Sequence, residues 1–107
     1  MKVIIQKTKK YNYKYKAIIN YPGANGRPFN KIIYFGDRRY EDYTMHKNKQ
    51  RKSNYIARHK SRENWNNKNT AGFWSRRLLW YKPTLSESAK SIYQRFGIRI
   101  IFTTNVN

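Results

Sequence analysis

Apolar and polar residues alternate along the first third of the chain and recur at helical spacing along much of the rest. Lys2 to Gln6 (KVIIQ) is rich in β-branched residues and predicts a short strand. A basic connector follows, Lys7-Thr8-Lys9-Lys10. From there Tyr11, Tyr13, Tyr15, Ala17 and Ile19 fall on one side, and Asn12, Lys14 and Lys16 on the other. That is the pattern of a strand with one packed face and one basic face. Tyr21 to Pro28 (YPGANGRP) is dense in turn formers, and Lys31 to Gly36 (KIIYFG) reads as the return strand. Tyr11 to Gly36 is therefore expected to be a β-hairpin whose long loop has a tip free to touch a partner.

The period then changes. Asn48 to about Asn64 holds no Pro or Gly and predicts a first helix, polar nearly all round. Tyr55, Arg58, His59 and Arg62 would share one of its faces. Docking is expected through Tyr55, Ile56 and Trp65. Trp65 to Asn69 (WNNKN) reads as a loop. Thr70 can cap a second helix over Ala71 to Tyr81, with Phe73, Trp74, Leu78 and Leu79 apolar, Gly72 in the first turn and Pro83 as the stop. Thr84-Leu85-Ser86-Glu87 matches a capping box. It opens a third helix, Leu85 to Phe96, whose stripe is Leu85, Ala89, Ile92, Tyr93 and Phe96, and Gly97 ends it. Ile98 to Thr103 (IRIIFT) predicts a last strand beside Lys2 to Gln6, and Asn105 to Asn107 a tail.

The expected fold is α+β, a single domain over residues 1–107. An N-terminal strand plus β-hairpin (1–36) and a C-terminal strand (98–104) make a small, mostly antiparallel sheet. About three helices from a basic and aromatic segment (43–96) pack on one of its faces.

Charge narrows the function. The chain has 24 Lys and Arg against 5 Asp and Glu, a formal net charge of +19. This exceeds what solubility needs and points to a polyanionic partner: nucleic acid first, then an acidic protein surface, then anionic lipid. Absence of Cys excludes disulfides, Cys-ligated zinc and iron–sulfur clusters. No apolar run is long enough for a membrane span, and the patch in Met1 to Gln6 is too short for a signal peptide, so a soluble protein made in the cytosol is expected. Aromatics are 17% of the residues, with 10 Tyr, which predicts an amphipathic core rather than one built on Leu.

The cations gather in the middle of the chain. Lys47, Lys49, Arg51, Lys52, Arg58, Lys60 and Arg62 occur between Lys47 and Arg62 with no acid among them. An aromatic block follows, with Trp65, Phe73, Trp74, Trp80 and Tyr81. The candidate contacts to nucleic acid or an acidic partner are Lys14, Lys16, Lys47, Arg51, Lys52, Arg58, His59, Lys60, Arg62 and Trp65. The cations would meet phosphates, and His59 would meet a phosphate or pack on Tyr55 or Trp65. Trp65 would stack on a base or join the core. Trp74 and Trp80 are expected in the core. Asp37, Glu41 and Asp42 are expected to pair with Arg38 and Arg39, or a helix N-cap to come from Asp42 or Thr44.

Catalytic signals are incomplete. His46 and His59, with Asp42 or Glu63, match no zinc spacing, so no metal or cofactor is expected. Arg51, Arg58, His59 and Tyr43 are residue types used in DNA strand transfer, and His59 with Glu63 would suit a nuclease. Either reading needs a concave pocket joining His59, Glu63 and Tyr43. No Gly-rich phosphate loop is present. Binding without catalysis is the expectation.

One set of residues resembles a known family. It comprises Phe35-Gly36, Tyr40, Asp42-Tyr43-Thr44, His46-Lys47, Arg51-Lys52, Tyr55-Ile56, Arg58-His59 and Arg62-Glu63-Asn64-Trp65, then Thr70-Ala71-Gly72-Phe73-Trp74-Ser75 and Leu78-Leu79-Trp80-Tyr81-Lys82-Pro83-Thr84-Leu85. Together they resemble small basic uncharacterised proteins encoded by large eukaryotic (nucleocytoplasmic) DNA viruses. The pattern departs at Arg77, where the family has a Trp, and at Asn48, where it has an acid. The resemblance implies a viral origin and a place in the particle, and carries over no catalytic residue. The expected partner is then nucleic acid, DNA before RNA, or an acidic capsid protein, with self-association in a particle. The expected location is the virion, and the host cytoplasm or viral factory during infection.

Overall fold

The computed structural model describes residues 1–106, with side chains described as far as Thr103. Four strands form one sheet: β1 (Lys2–Lys7), β2 (Tyr13–Tyr21), β3 (Phe29–Asp37) and β4 (Arg99–Val106), in the order β3-β2-β1-β4. β1 is antiparallel to β2, and β2 to β3, whereas β1 and β4 run parallel. The chain leaves the sheet at one edge, β3, and returns at the other, β4, with the helices in between. Such a crossover delivers a parallel strand, which a short hairpin cannot do. The α+β expectation holds, with a mixed sheet. Of the expected tail, Asn105 and Val106 belong to β4, and Asn107 lies outside the described residues.

Four helical pieces follow β3: α1 (Tyr43–His46), α2 (Lys49–His59), α3 (Ala71–Trp74) and α4 (Leu85–Phe96). α1 was not expected, although its cap was: Asp42 accepts from the Thr44 N–H at 3.0 Å. α2 is shorter than the sequence suggests. Asn48 is its N-cap, accepting from the Arg51 N–H, and the chain turns after His59. α3 does not run on to Tyr81 as an α-helix. It widens into a π turn over Ser75–Leu79, closed by the Trp80 N–H donating to the Ser75 carbonyl at 3.0 Å. Arg77, Leu78 and Leu79 are all buried, and three consecutive residues of an ordinary α-turn would fan across roughly 200°. The wider turn sets all three toward the interior. α4 is as expected, capped by Thr84, with Gly97 left-handed at φ 69°.

The core lies between one sheet face and these helices. Val3, Ile5, Ala17, Ile19, Ile33 and Phe35 supply the sheet side, and Phe73, Trp74, Leu78, Leu79 and Ile92 the helical side. The opposite face is open. There Ile32, Ile18, Ile4 and Ile101 stand in register across all four strands.

The expected alternation of β2 holds only from Tyr15 onward. Tyr11 precedes the strand, is 75% exposed and has φ 52°. The Tyr13 ring is exposed and lies 5.7 Å from the Tyr34 ring. Lys14, expected on a basic outer face, turns to the helical side and pairs with Asp42 at 2.6 Å. The cause sits opposite, at Gly36. Its φ of +78° bends the end of β3, and a Cβ there would meet Leu79 Cδ1 at 2.8 Å and Lys14 Cβ at 3.2 Å. Gly36→Ala adds a left-handed strain to this clash and is expected to lower stability by about 2–4 kcal/mol. Urea unfolding with an unshifted midpoint would contradict that account of the bend.

Candidate nucleic-acid interface

α2 and its flanks carry six exposed cations. Being polar nearly all round, the helix needs a specific support, and the support is a ring stack. Tyr55 lies face to face with Trp80 at 4.4 Å and 3°, with His59 on its other side at 4.3 Å. Trp80, expected only in the core, is thus the platform that holds α2. Burial pushes the Tyr55 hydroxyl well above its ordinary range, and Glu63 adds to the push.

With α2 fixed this way, Lys49, Arg58, Lys60 and Arg62 are exposed at its surface and beyond its end, and Lys47 just before it. Lys47 donates to the Thr44 carbonyl at 2.8 Å, and Arg62 to the Arg58 carbonyl at 3.0 Å. These bonds orient the side chains without cancelling charge. Arg51 meets Glu41 at 3.2 Å, but both groups are about half exposed, at 47% and 57%. Such a surface pair contributes little and leaves Arg51 available.

Other expected contacts are placed differently. Lys14 is only 12% exposed beside Asp42 and is not a surface cation. Lys16 lies on the open face of the sheet, next to Tyr34 on β3, away from α2. Lys52 is half-buried and donates to the Tyr81 carbonyl at 2.7 Å, with Tyr43 4.9 Å below it. Burial lowers its pKa, helped by Arg76 and Lys82. His59 and Trp65 share one partner. His59 Nδ1 lies 2.9 Å from one Glu63 oxygen, and Trp65 Nε1 donates to the other at 2.8 Å. Trp65 is therefore a tethered ring, with Arg76 5.3 Å over it, rather than a free stacking platform.

Beside α2 runs a cleft of about 690 Å³. Asp37, Glu41, Asp42 and Glu63 line it, together with Lys14, Arg39, Arg58, His59 and Tyr55. Four of the chain's five carboxylates thus converge here. The Arg39 side chain and backbone, bonded to Asp37, hold that carboxyl at about 2. Lys14, Arg39 and Arg58 offset most of that negative charge, and Arg58 borders both the cleft and the exposed surface of α2. The cleft does join His59 to Glu63, as a catalytic reading would need. Tyr43 is not among its lining residues and lies buried under Lys52. Among the described residues, no three metal-ligating side chains gather at one point. No helix is long and apolar enough to cross a membrane.

Residues 3–59, just over half the chain, match the family of unknown function DUF5754. The chain belongs to that family. The DUF5754 match runs from β1 through α2 and so includes the hairpin, the Lys14–Asp42 pair and the basic helix. No curated protein and no solved structure matches the chain.

Two residues absent from the candidate contacts, Arg76 and Arg77, lie beyond the DUF5754 match. Arg76 is half-buried and donates to the Trp80 carbonyl at 2.5 Å. Arg77 is only 8% exposed and donates to the Trp65 carbonyl at 3.0 Å. Burial lowers the pKa of both. The available signal was their place between Trp74 and Leu78, inside an otherwise apolar block.

Proposed function

We propose that the protein binds nucleic acid electrostatically through the exposed cations of α2 and its flanks, with Lys47, Lys49, Arg51, Arg58, Lys60 and Arg62 on backbone phosphates. One observation carries this reading. Of the 24 Lys and Arg, only Lys14, Arg39 and Arg51 lie within ion-pair distance of a carboxylate among the described residues. A surplus that large, left unpaired on a folded surface, is a standing attraction for a polyanion. The reading is of binding without a catalytic step. Following the resemblance to virus-encoded proteins, the partner is DNA, coated or packaged in the virion, with the protein in the host cytoplasm or viral factory during infection.

A second reading has its own support. The open sheet face presents the four-isoleucine row, with Ile32 and Ile101 exposed at its ends, and Lys16 lies beside it. Apolar surface interspersed with cations would suit a minor capsid or cement protein seated on an acidic shell. Location within purified particles, shell against genome, separates the two readings.

The direct test is the triple variant Arg51/Arg58/Arg62→Ala against mixed-sequence duplex DNA. All three side chains are exposed, so the fold should survive. Affinity is expected to fall by roughly tenfold or more, since each removes a phosphate contact. Equal binding by variant and wild type would exclude α2 as the contact. No binding by either would exclude the nucleic-acid reading.

A further inference from the structure

Four cations converge on one tyrosine. Lys52 Nζ, Arg76 Cζ, Arg77 Cζ and Lys82 Nζ lie 5.7, 4.8, 5.7 and 5.5 Å from the centre of the Tyr81 ring. They come from α2, from the π turn, and from the residue after Tyr81. Arg95, on α4, is close enough to repel both arginines. Among the described residues none of the five makes an ion pair. Lys52, Arg76 and Arg77 are instead tied to the carbonyls of Tyr81, Trp80 and Trp65. Neutral acceptors fix where the charges sit and cancel none of them.

Packing alone does not account for this. A ring has two faces, and cation–π attraction explains one or two cations on it. Four bring mutual repulsion in a partly dry setting, where Coulomb forces are stronger than in water. The repulsion is felt, since Arg76 and Lys82 both help lower the pKa of Lys52. The buried Nε of Arg76 also has no acceptor. The arginines stand on a π turn, a local irregularity that recurs at functional sites. Lys82 and Arg95 are exposed and Tyr81 is half-exposed, so a ligand can arrive.

We propose that Lys52, Arg76, Arg77 and Lys82 around Tyr81, with Arg95 at the rim, form a phosphate-binding site. A group with two or more negative charges would offset the repulsion, and the planar guanidinium forks suit its oxygens. The chemistry is shared by a nucleic-acid backbone phosphate and by a free phosphate. The inference does not rest on binding through α2, because inorganic pyrophosphate is a sufficient probe.

Calorimetric titration with pyrophosphate at physiological salt tests it. Wild type is expected to bind one equivalent saturably. Lys82→Gln/Arg95→Gln removes two exposed cations of the site and is expected to weaken binding about tenfold or more. The control, Lys9→Gln/Lys31→Gln, removes the same charge at two exposed cations assigned neither to this site nor to α2, and should change it by less than about twofold, since distant charges are screened. Matching melting temperatures would show both variants folded. Absence of saturable binding by wild type, or equal weakening in the two variants, overturns the site. Adding pyrophosphate to a complex with short single-stranded DNA then separates the sources. Displacement of the DNA assigns the site to a backbone phosphate, and simultaneous binding assigns it to a free one.

Discussion

Raising salt from 50 to 200 mM is expected to weaken binding to mixed-sequence duplex DNA by roughly a thousand- to a hundred-thousandfold, the loss for ~6–10 phosphate contacts. α2 and its flanks bring six exposed cations to the lower end of that range: Lys47, Lys49, Arg51, Arg58, Lys60 and Arg62. Each phosphate neutralised contributes ~0.9 to the slope of log affinity against log salt. The triple variant at Arg51, Arg58 and Arg62 should therefore flatten the slope by ~3. Fluorescence anisotropy over a salt series measures both. A wild-type slope below ~2 would mean too few phosphate contacts for a coating protein. A steep slope that the triple variant leaves unchanged would move the contact away from α2, with the cations around Tyr81 next to be tested.

Local signals carried much of the fold. The β-branched run of β1, the KIIYFG return strand, the Thr70 and Thr84 caps and the left-handed Gly97 depend on neighbours within a few residues. All appear where the sequence placed them. What the sequence hid depends on distant partners. Lys14 reads as outward by alternation, yet the bend at Gly36 and an acid 28 residues on draw it in. The parallel pairing of β1 with β4 follows from the path of the helices, which no periodicity encodes. α2 carries too weak an apolar stripe to name its own support, and Trp80 serves because the π turn delivers its ring to Tyr55.

The candidate surface divides along the same line. Cations with purely local surroundings, such as Lys47, Lys60 and Arg62, are exposed as the charge run suggested. Those that meet another element are committed elsewhere. Lys52 lies over Tyr43 and donates to the Tyr81 carbonyl, and Lys14 pairs with Asp42, whereas His59 and Trp65 are held by a near neighbour in sequence, Glu63. Residue type alone does not distinguish a cation that waits for a phosphate from one that braces a helix. The difference lies in which acceptor the tertiary fold puts in reach.

Asp42 offers the sharpest test of that point. Its side chain is only 4% exposed, and it accepts from Lys14 Nζ at 2.6 Å, from the Thr44 N–H at 3.0 Å and from the Thr44 hydroxyl. Asp42→Asn keeps a competent N-cap but leaves the Lys14 ammonium, itself 12% exposed, without its counter-charge. Breaking a buried pair from one side typically costs about 3–5 kcal/mol, and a variant short of that range by more than half would show that water reaches Lys14. Adding Lys14→Met removes the stranded charge and keeps the length of its stem against Gly36. The double variant should then recover most of the loss, because a buried pair replaced by apolar groups is often neutral. Chemical denaturation of the three proteins measures both steps. A double variant no more stable than Asp42→Asn would mean that the loss comes from the cap and α1, not from Lys14. Recovery would establish that this lysine serves the fold through its pairing with Asp42.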